Sequence, residues 1–203
     1  MGGAGGGVGR STPGLRERKK AKTRAAIQRE ALRLFQERGY AATTVEQIAA
    51  AAEVSPSTFF RYFPTKEDVV LYDALDPLVI AAFEAQPDEL NLVRALRCAI
   101  HQIYDDLPAE ELAQEMERGR LMIAVPELRM RLLDRFAEMI QQLSAMIGKR
   151  LGPGADPLAV RISAGALVGS MIALMFSAAE EPEVDFIGLI DAGLAQMESG
   201  LRL

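Results

Sequence analysis

A chain of 203 residues with 49% hydrophobic and 25% charged residues has globular composition, which excludes wholesale disorder and leaves room for a small module joined to a larger one. The net charge of −5 hides an asymmetry: residues 10–66 carry 12 Lys/Arg against 5 Asp/Glu, or +7, while the rest carries 11 against 23, or −12. A basic head on an acidic body confines any phosphate contact to one end, the alternative being ordinary solvated charge.

The glycine-rich opening has no apolar stretch of the signal-peptide kind and predicts a disordered tail over residues 1–15. No Gly-Lys-Ser/Thr follows Gly2 to Gly9, so these glycines are not a phosphate loop. Over residues 16–38, Ile27, Ala31, Leu34 and Phe35 fall at i, i+4, i+7 and i+8, with Arg24, Gln28, Arg29, Arg33 and Gln36 opposite. That spacing predicts an amphipathic helix, ended by Gly39 in a left-handed conformation. Its basic start, Arg16 to Lys22, either extends the helix as solvated charge or reaches a minor groove as an arm.

Thr44-Val45-Glu46-Gln47 reads as a capping box that opens a short second helix, whose apolar stripe is Val45, Ile48, Ala49 and Ala52. Ser55 can cap a third helix with Pro56 at its first position, where a missing N–H costs nothing. Val54 and Phe59 then have the spacing of a hydrophobic staple, and Pro64 closes the helix. Thr65 to Asp68 caps a fourth, continued by Val69, Tyr72 and Leu75. Two short helices about a tight turn, braced by a longer one, form a helix-turn-helix or an ordinary helical hairpin. Phe35, Ile48, Ala49, Val54, Phe59 and Phe63 are assigned to the core of this head.

Beyond Pro77, prolines and glycines at 87–88, 107–108, 125–126, 152–154 and 181–182 punctuate a series of body helices. One carries Leu92, Leu96, Ile100 and Ile103 on a single face; another carries Leu132, Leu133, Phe136, Ile140, Leu143 and Ile147. The whole reads as all-α with about nine helices: a three-helix head over residues 16–65 and a larger helical body over 66–203. Cys98 is the single cysteine, which excludes an internal disulfide and a Cys-rich zinc site and fits a reducing cytoplasm. No run of 18 uninterrupted apolar residues offers a membrane span; residues 164–179 come nearest and are rich in Gly, Ser and Ala, so no membrane partner is expected.

Catalysis has little support. Cys98 and His101 are three residues apart with no flanking signature of a nucleophilic pair, and Glu110, Glu111, Glu115 and Glu117 lack the Glu-x-x-His elements of a carboxylate metal site. No catalytic residue, metal or cofactor is expected, and the chain is not expected to be an enzyme.

The residues Thr43-Thr44-Val45-Glu46-Gln47-Ile48-Ala49, followed by Val54-Ser55-Pro56-Ser57-Thr58-Phe59-Phe60-Arg61-Tyr62-Phe63-Pro64-Thr65-Lys66-Glu67, strongly resemble the signature of the TetR family of transcriptional regulators. The resemblance spans residues 20–68. It implies a homodimer that binds palindromic double-stranded operator DNA and releases it when a small molecule fills the body. Activator and repressor are not separable from sequence, with repressor the expectation. A helical ligand-binding or scaffold protein whose head no longer binds DNA is the alternative. Residues 120–131 also resemble the C-terminal domain of the mycofactocin-regulator type, associated with long-chain acyl-CoA ligands; a plain helix, turn and helix would look the same.

By match to the family pattern, Ser55, Ser57, Thr58, Arg61 and Tyr62 face DNA, while Thr44, Tyr62 and Lys66 clamp the backbone. Arg61 serves either a guanine edge or a phosphate. The chain departs from the pattern at Phe60, where tyrosine is frequent, and at Glu53, where the turn often carries glycine, so that turn is expected to be strained or differently shaped.

For the body, Met116, Met122, Met130 and Met139 suit the wall of a pocket for a hydrophobic or acyl-CoA-like effector, or are plain core. His101 and Tyr104, with Arg118 and Arg120, are candidates for a polar head group, the alternative being a satisfied histidine and surface arginines. The last two helices, about 157–179 and 184–201, are expected to form a four-helix dimer interface. Gly165, Gly169, Ile172 and Phe176 would lie in it, with Leu167 and Leu174 also expected there, the alternative being core packing within the chain. By analogy with the family, an effector would tilt the fourth helix and respace the two heads.

Overall fold

The computed structural model describes residues 14–181 and 184–200. The predicted tail therefore lies outside the described residues up to position 13. Its last residue, Leu15, instead opens the first helix, because Glu17 Oε2 accepts from the backbone N–H of Gly14 at 3.2 Å and caps it. The described residues form eleven α-helices and no strand, in two compact units divided between Pro64 and Thr65.

The first unit holds α1 (Leu15–Arg38), α2 (Val45–Ala51) and α3 (Pro56–Tyr62). Local chemistry sets every boundary. The predicted capping box forms: Gln47 N donates to Thr44 Oγ1 at 3.3 Å, and Thr44 N to Gln47 Oε1 at 3.0 Å. Ser55 caps α3 through Thr58 N at 3.1 Å, with Pro56 at the first position. Gly39 takes φ +84° after α1, and Thr43 Oγ1, fully buried, donates to the carbonyls of Gly39 and Leu34. Ile27, Ala31, Leu34, Phe35, Ile48, Ala49, Phe59 and Phe63 are buried as the core of this unit. Val54 is half-buried. Phe35 packs on Tyr40 and Phe59 on Phe63.

The second unit runs through α4 (Lys66–Leu71), α5 (Asp76–Glu84), α6 (Leu92–Tyr104), α7 (Ala109–Ala124), α8 (Pro126–Asp134), α9 (Phe136–Leu151), α10 (Pro157–Glu180) and α11 (Phe186–Glu198). Two segments read as single helices divide, which takes the count from about nine to eleven. The fourth helix stops at Leu71, because Asp73 Oδ1 accepts from Leu75 N and Asp76 N and starts a new helix there. The stripe from Leu132 to Ile147 breaks at Arg135, which leaves Leu133 exposed rather than on the core face.

The core of this unit is Ile100, Ile147, Val160, Ala164, Leu167, Ile190 and Leu194, with α10 packed on α7, α9 and α11. A smaller cluster of Ala82, Phe83, Ala95 and Ala99 joins α5 to α6. Arg150 ties α9 to the α5–α6 loop by donating to the carbonyls of Gln86, Pro87 and Leu90. Although its apolar run is interrupted, α10 is by length and composition what a membrane span needs, with a mean hydropathy of 1.8 over 18 residues. Here one face of α10 belongs to the core, and Leu158 and Ile162 on another are more than 60% exposed.

Candidate nucleic-acid interface and body cavity

The short α3 presents its amino end as a cluster of hydroxyls. Ser55 Oγ lies 2.9 Å from Ser57 Oγ and donates to Thr58 Oγ1 at 3.0 Å, so the cap that starts the helix also gathers three of the predicted contact residues. Ser55 and Ser57 are exposed, and one turn later Arg61 is exposed too, its guanidinium 5.5 Å from the Tyr62 ring centroid. Arg24 of α1 sits over the same ring at 5.9 Å and over Phe63 at 5.7 Å. Arg61 and Tyr62 also border an open groove with Arg16, Lys19 and Lys20 of α1. The basic start of α1 is therefore helical, and it lies along the α3 surface.

Thr44 is exposed at the start of α2. Lys66 is placed in the second unit, as the first residue of α4. Phe60 is half-exposed at the position where the family pattern often has a tyrosine hydroxyl. In the α2–α3 turn, Glu53 adopts φ +54°, the conformation that glycine takes without cost. The turn keeps its left-handed shape and carries strain.

Within the second unit a cavity of about 240 Å³ opens between α6, α7, α9, α10 and α11. Tyr104, Met116, Arg120 and Met139 line it, as does Met122, and Met171 and Met175 of α10 add to the soft wall. Met130, a candidate for this wall, is exposed on α8 instead. His101 does not line the cavity. One residue of helical offset from Ile100 turns it to α11, where its ring lies 3.0 Å from Asp191 and 3.1 Å from Asp105. Hydrogen bonds to Asp191 and Asp105 raise the imidazole pKa. Arg97 grips Asp191 with two bonds of 2.8 Å and reaches Glu198 at 2.9 Å, and these bonds pull Asp191 down to about 2. His101 is thus part of a seam joining α6 to α11.

The polar corner of the cavity is richer than the sequence suggested. Arg118 is only 5% exposed. Its Nε donates to Glu115 at 2.7 Å, Nη1 to the carbonyl of Val70 at 3.2 Å, and Nη2 to Asp73. Arg135 donates to the carbonyl of Leu71 at 2.9 Å. Two arginines thereby hold the end of α4 against α7 and α8. Desolvation, followed by the negative charges of Asp73 and Glu115, raises the Tyr104 phenol well above its usual range. Desolvation and then Asp73 push Asp76 up to about 6, against the pull of Arg118 and Arg135. Sequence reasoning missed Asp73, Asp76, Arg135 and Gln142. The available signal was Asp73-Ala-Leu-Asp76-Pro77, a helix start within an expected helix.

On α10 the candidate interface residues divide. Gly169, Ile172 and Phe176 are partly or fully exposed, whereas Gly165 faces Ile140 of α9. Leu167 is buried in the core rather than available to a partner. Leu174 packs over Gly193 of α11, where an added Cβ would stand 2.8 Å from the leucine side chain. The close helix approach within the chain is therefore made at Gly193.

Residues 27–72 match the family described as bacterial regulatory proteins, tetR family, and residues 90–202 match the MftR C-terminal domain family. The HTH-type transcriptional regulator TcmR of Streptomyces glaucescens is 41% identical over 151 residues, covering 71% of this chain and 67% of that protein. Among solved structures, SmeT, the repressor of the Stenotrophomonas maltophilia efflux pump SmeDEF, superposes with a TM-score of 0.58 at 22% identity, over 89% of this chain and 93% of its own. The Thermus thermophilus repressor FadR in complex with lauroyl-CoA gives 0.56 at 23% identity, over 89% and 95%. At these identities the structures share the fold.

Proposed function

The chain belongs to the TetR family of bacterial transcriptional regulators, and on that premise we propose that it is a cytoplasmic repressor that binds a palindromic operator as a homodimer and lets go when a small hydrophobic molecule enters the body cavity. The observation that carries the DNA-binding half is the clustering of Ser55, Ser57 and Thr58 at the open end of α3, flanked by Arg61, Tyr62 and the cationic start of α1. In a major groove the hydroxyls meet bases or phosphates and Arg61 supplies a guanidinium fork. Thr44 adds a helix N-terminus for a phosphate, and Lys66 a further cation. The function is regulatory, not enzymatic.

Pairing of two heads raises their effective concentration on a palindrome. The surface for it is the side of α10 that exposes Leu158, Ile162 and Phe176, with half-buried Gly169 and Ile172 beside them. Contiguous apolar surface of this kind marks an interaction site. The effector reading rests on the cavity walls of Tyr104, Met116, Arg120 and Met139 and on the tether from Arg118 and Arg135 to the last residues of α4. A guest that displaces either arginine moves α4. An acyl-CoA is a second reading, supported by the match to the MftR C-terminal domain and by the lauroyl-CoA bound to the fold relative FadR.

Mobility shift at two salt concentrations, on random DNA and on the DNA upstream of the gene, tests the proposal. Preference for the upstream fragment that persists at the higher salt supports it. Equal, salt-erased binding to both leaves only the alternative of a helical ligand-binding protein.

A further inference from the structure

The cavity holds three carboxylates and three guanidinium groups, and their states of engagement differ. Arg118 donates to Asp73, Glu115 and the carbonyl of Val70. Arg135 donates to the carbonyl of Leu71, and Arg120 lies 3.8 Å from Glu117. Arg118 and Arg135 are thus held by acceptors in the chain, while Arg120 meets Glu117 beyond hydrogen-bond length. Asp73 and Glu115 are taken up by Arg118. Asp76 is different: among the described residues no donor reaches its carboxylate, and it interacts with Arg118 and Arg135 only through charge at a distance. Exposed on one side and lining the cavity on the other, it stands at the rim. The Tyr104 hydroxyl beside it also makes no hydrogen bond among the described residues, and its raised pKa keeps it protonated.

An anionic head group entering this corner would meet one unanswered carboxylate and would have to break an existing bond to win Arg118 or Arg135. A group with N–H donors and positive charge meets an acceptor that is already waiting, and charge-assisted hydrogen bonds are the strong ones. The remaining wall is thioether and hydrocarbon, which accepts an apolar body of modest size.

We propose that the effector is a small hydrophobic amine, whose ammonium group pairs with the Asp76 carboxylate at the rim while its apolar part lies among Met116, Met139, Met171 and Met175. This rests on the reading of the body cavity as the effector site and narrows it to one class of ligand. An ammonium at Asp76 also comes close to the Asp73–Arg118 pair and so to the tether on α4.

Octylamine, octan-1-ol and octanoate, matched in length, test the assignment by calorimetric titration of the full-length protein and of Asp76→Asn. Octylamine is expected to bind once per chain and roughly tenfold or more tighter than the alcohol, the factor of one hydrogen bond to a charged group. Asp76→Asn is expected to bring octylamine down to the affinity of the alcohol and leave the alcohol unchanged, which also shows that the variant is folded. Tighter binding of octanoate or octanol to the wild type, or an octylamine preference that survives in Asp76→Asn, overturns the proposal and leaves the cavity an effector site for another class. Absence of binding by all three overturns the effector-site reading itself.

Discussion

Arg118 Nη1, on α7, donates to the carbonyl of Val70, in the last turn of α4, at 3.2 Å. The same guanidinium holds Asp73 and Glu115, so one buried cation joins the end of α4 to the polar corner of the cavity. Removing it leaves two carboxylates desolvated without a partner. Arg118→Met is expected to destabilise the protein by about 3–5 kcal/mol, the cost of breaking a buried ion pair from one side. Adding Asp73→Asn and Glu115→Gln is expected to recover part of that. Urea unfolding of both variants checks it, and an unchanged midpoint in Arg118→Met would show that the cluster is solvated.

Glu53 holds φ +54° in the turn between α2 and α3. A left-handed conformation costs a side-chain-bearing residue about 1–2 kcal/mol, and glycine's greater freedom in the unfolded chain offsets about half of that. Glu53→Gly should therefore stabilise the head by about 1 kcal/mol, whereas Glu53→Val should destabilise it, since a branched side chain fits that region worst. Opposite shifts of the thermal midpoint are the expected outcome. Shifts of the same sign would mean that Glu53 acts through its charge.

The groove shared by Arg16, Lys19, Lys20, Arg61 and Tyr62 makes the start of α1 a candidate for binding phosphate. Replacing Arg16, Lys19 and Lys20 together by alanine is expected to weaken binding to all DNA sequences alike. The slope of log affinity against log salt should flatten by about 0.9 for each phosphate that is no longer neutralised. A slope equal to that of the wild type assigns these residues to solvent.

Asp76 titrates at about 6 in the folded chain and lower when unfolded. Between the two values the native state binds the extra proton, so stability contributed through this group falls as pH rises and is restored as pH drops through about 6. Asp76→Asn is expected to raise the thermal midpoint at about pH 7 more than at about pH 4.5. A larger gain at the acidic end would contradict the desolvated carboxylate.

The head was legible in the sequence because its boundaries are local. Thr44, Ser55 and Pro56 act within four residues of where they stand, and no distant partner is needed to start α2 or α3. The positive φ at Gly39 follows from the same short-range sterics, whereas Glu53 takes its positive φ against them. The body was legible as helices but not as a site. Periodicity shows that His101, Tyr104 and Leu167 belong to helical faces, yet which helix covers each face depends on packing across tens of residues.

The amino-acid sequence by itself determined the helical class, the caps and turn of the DNA-reading head, and the charge contrast between head and body. Only the tertiary structure decided that His101 turns to Asp191, that Gly193 rather than Gly169 takes the close approach within the chain, and that among the described residues no donor reaches Asp76 at the cavity. The reason is range: hydrogen bonds and sterics along a helix reach about one turn, whereas the surroundings of a side chain in a bundle are set by the helices packed around it.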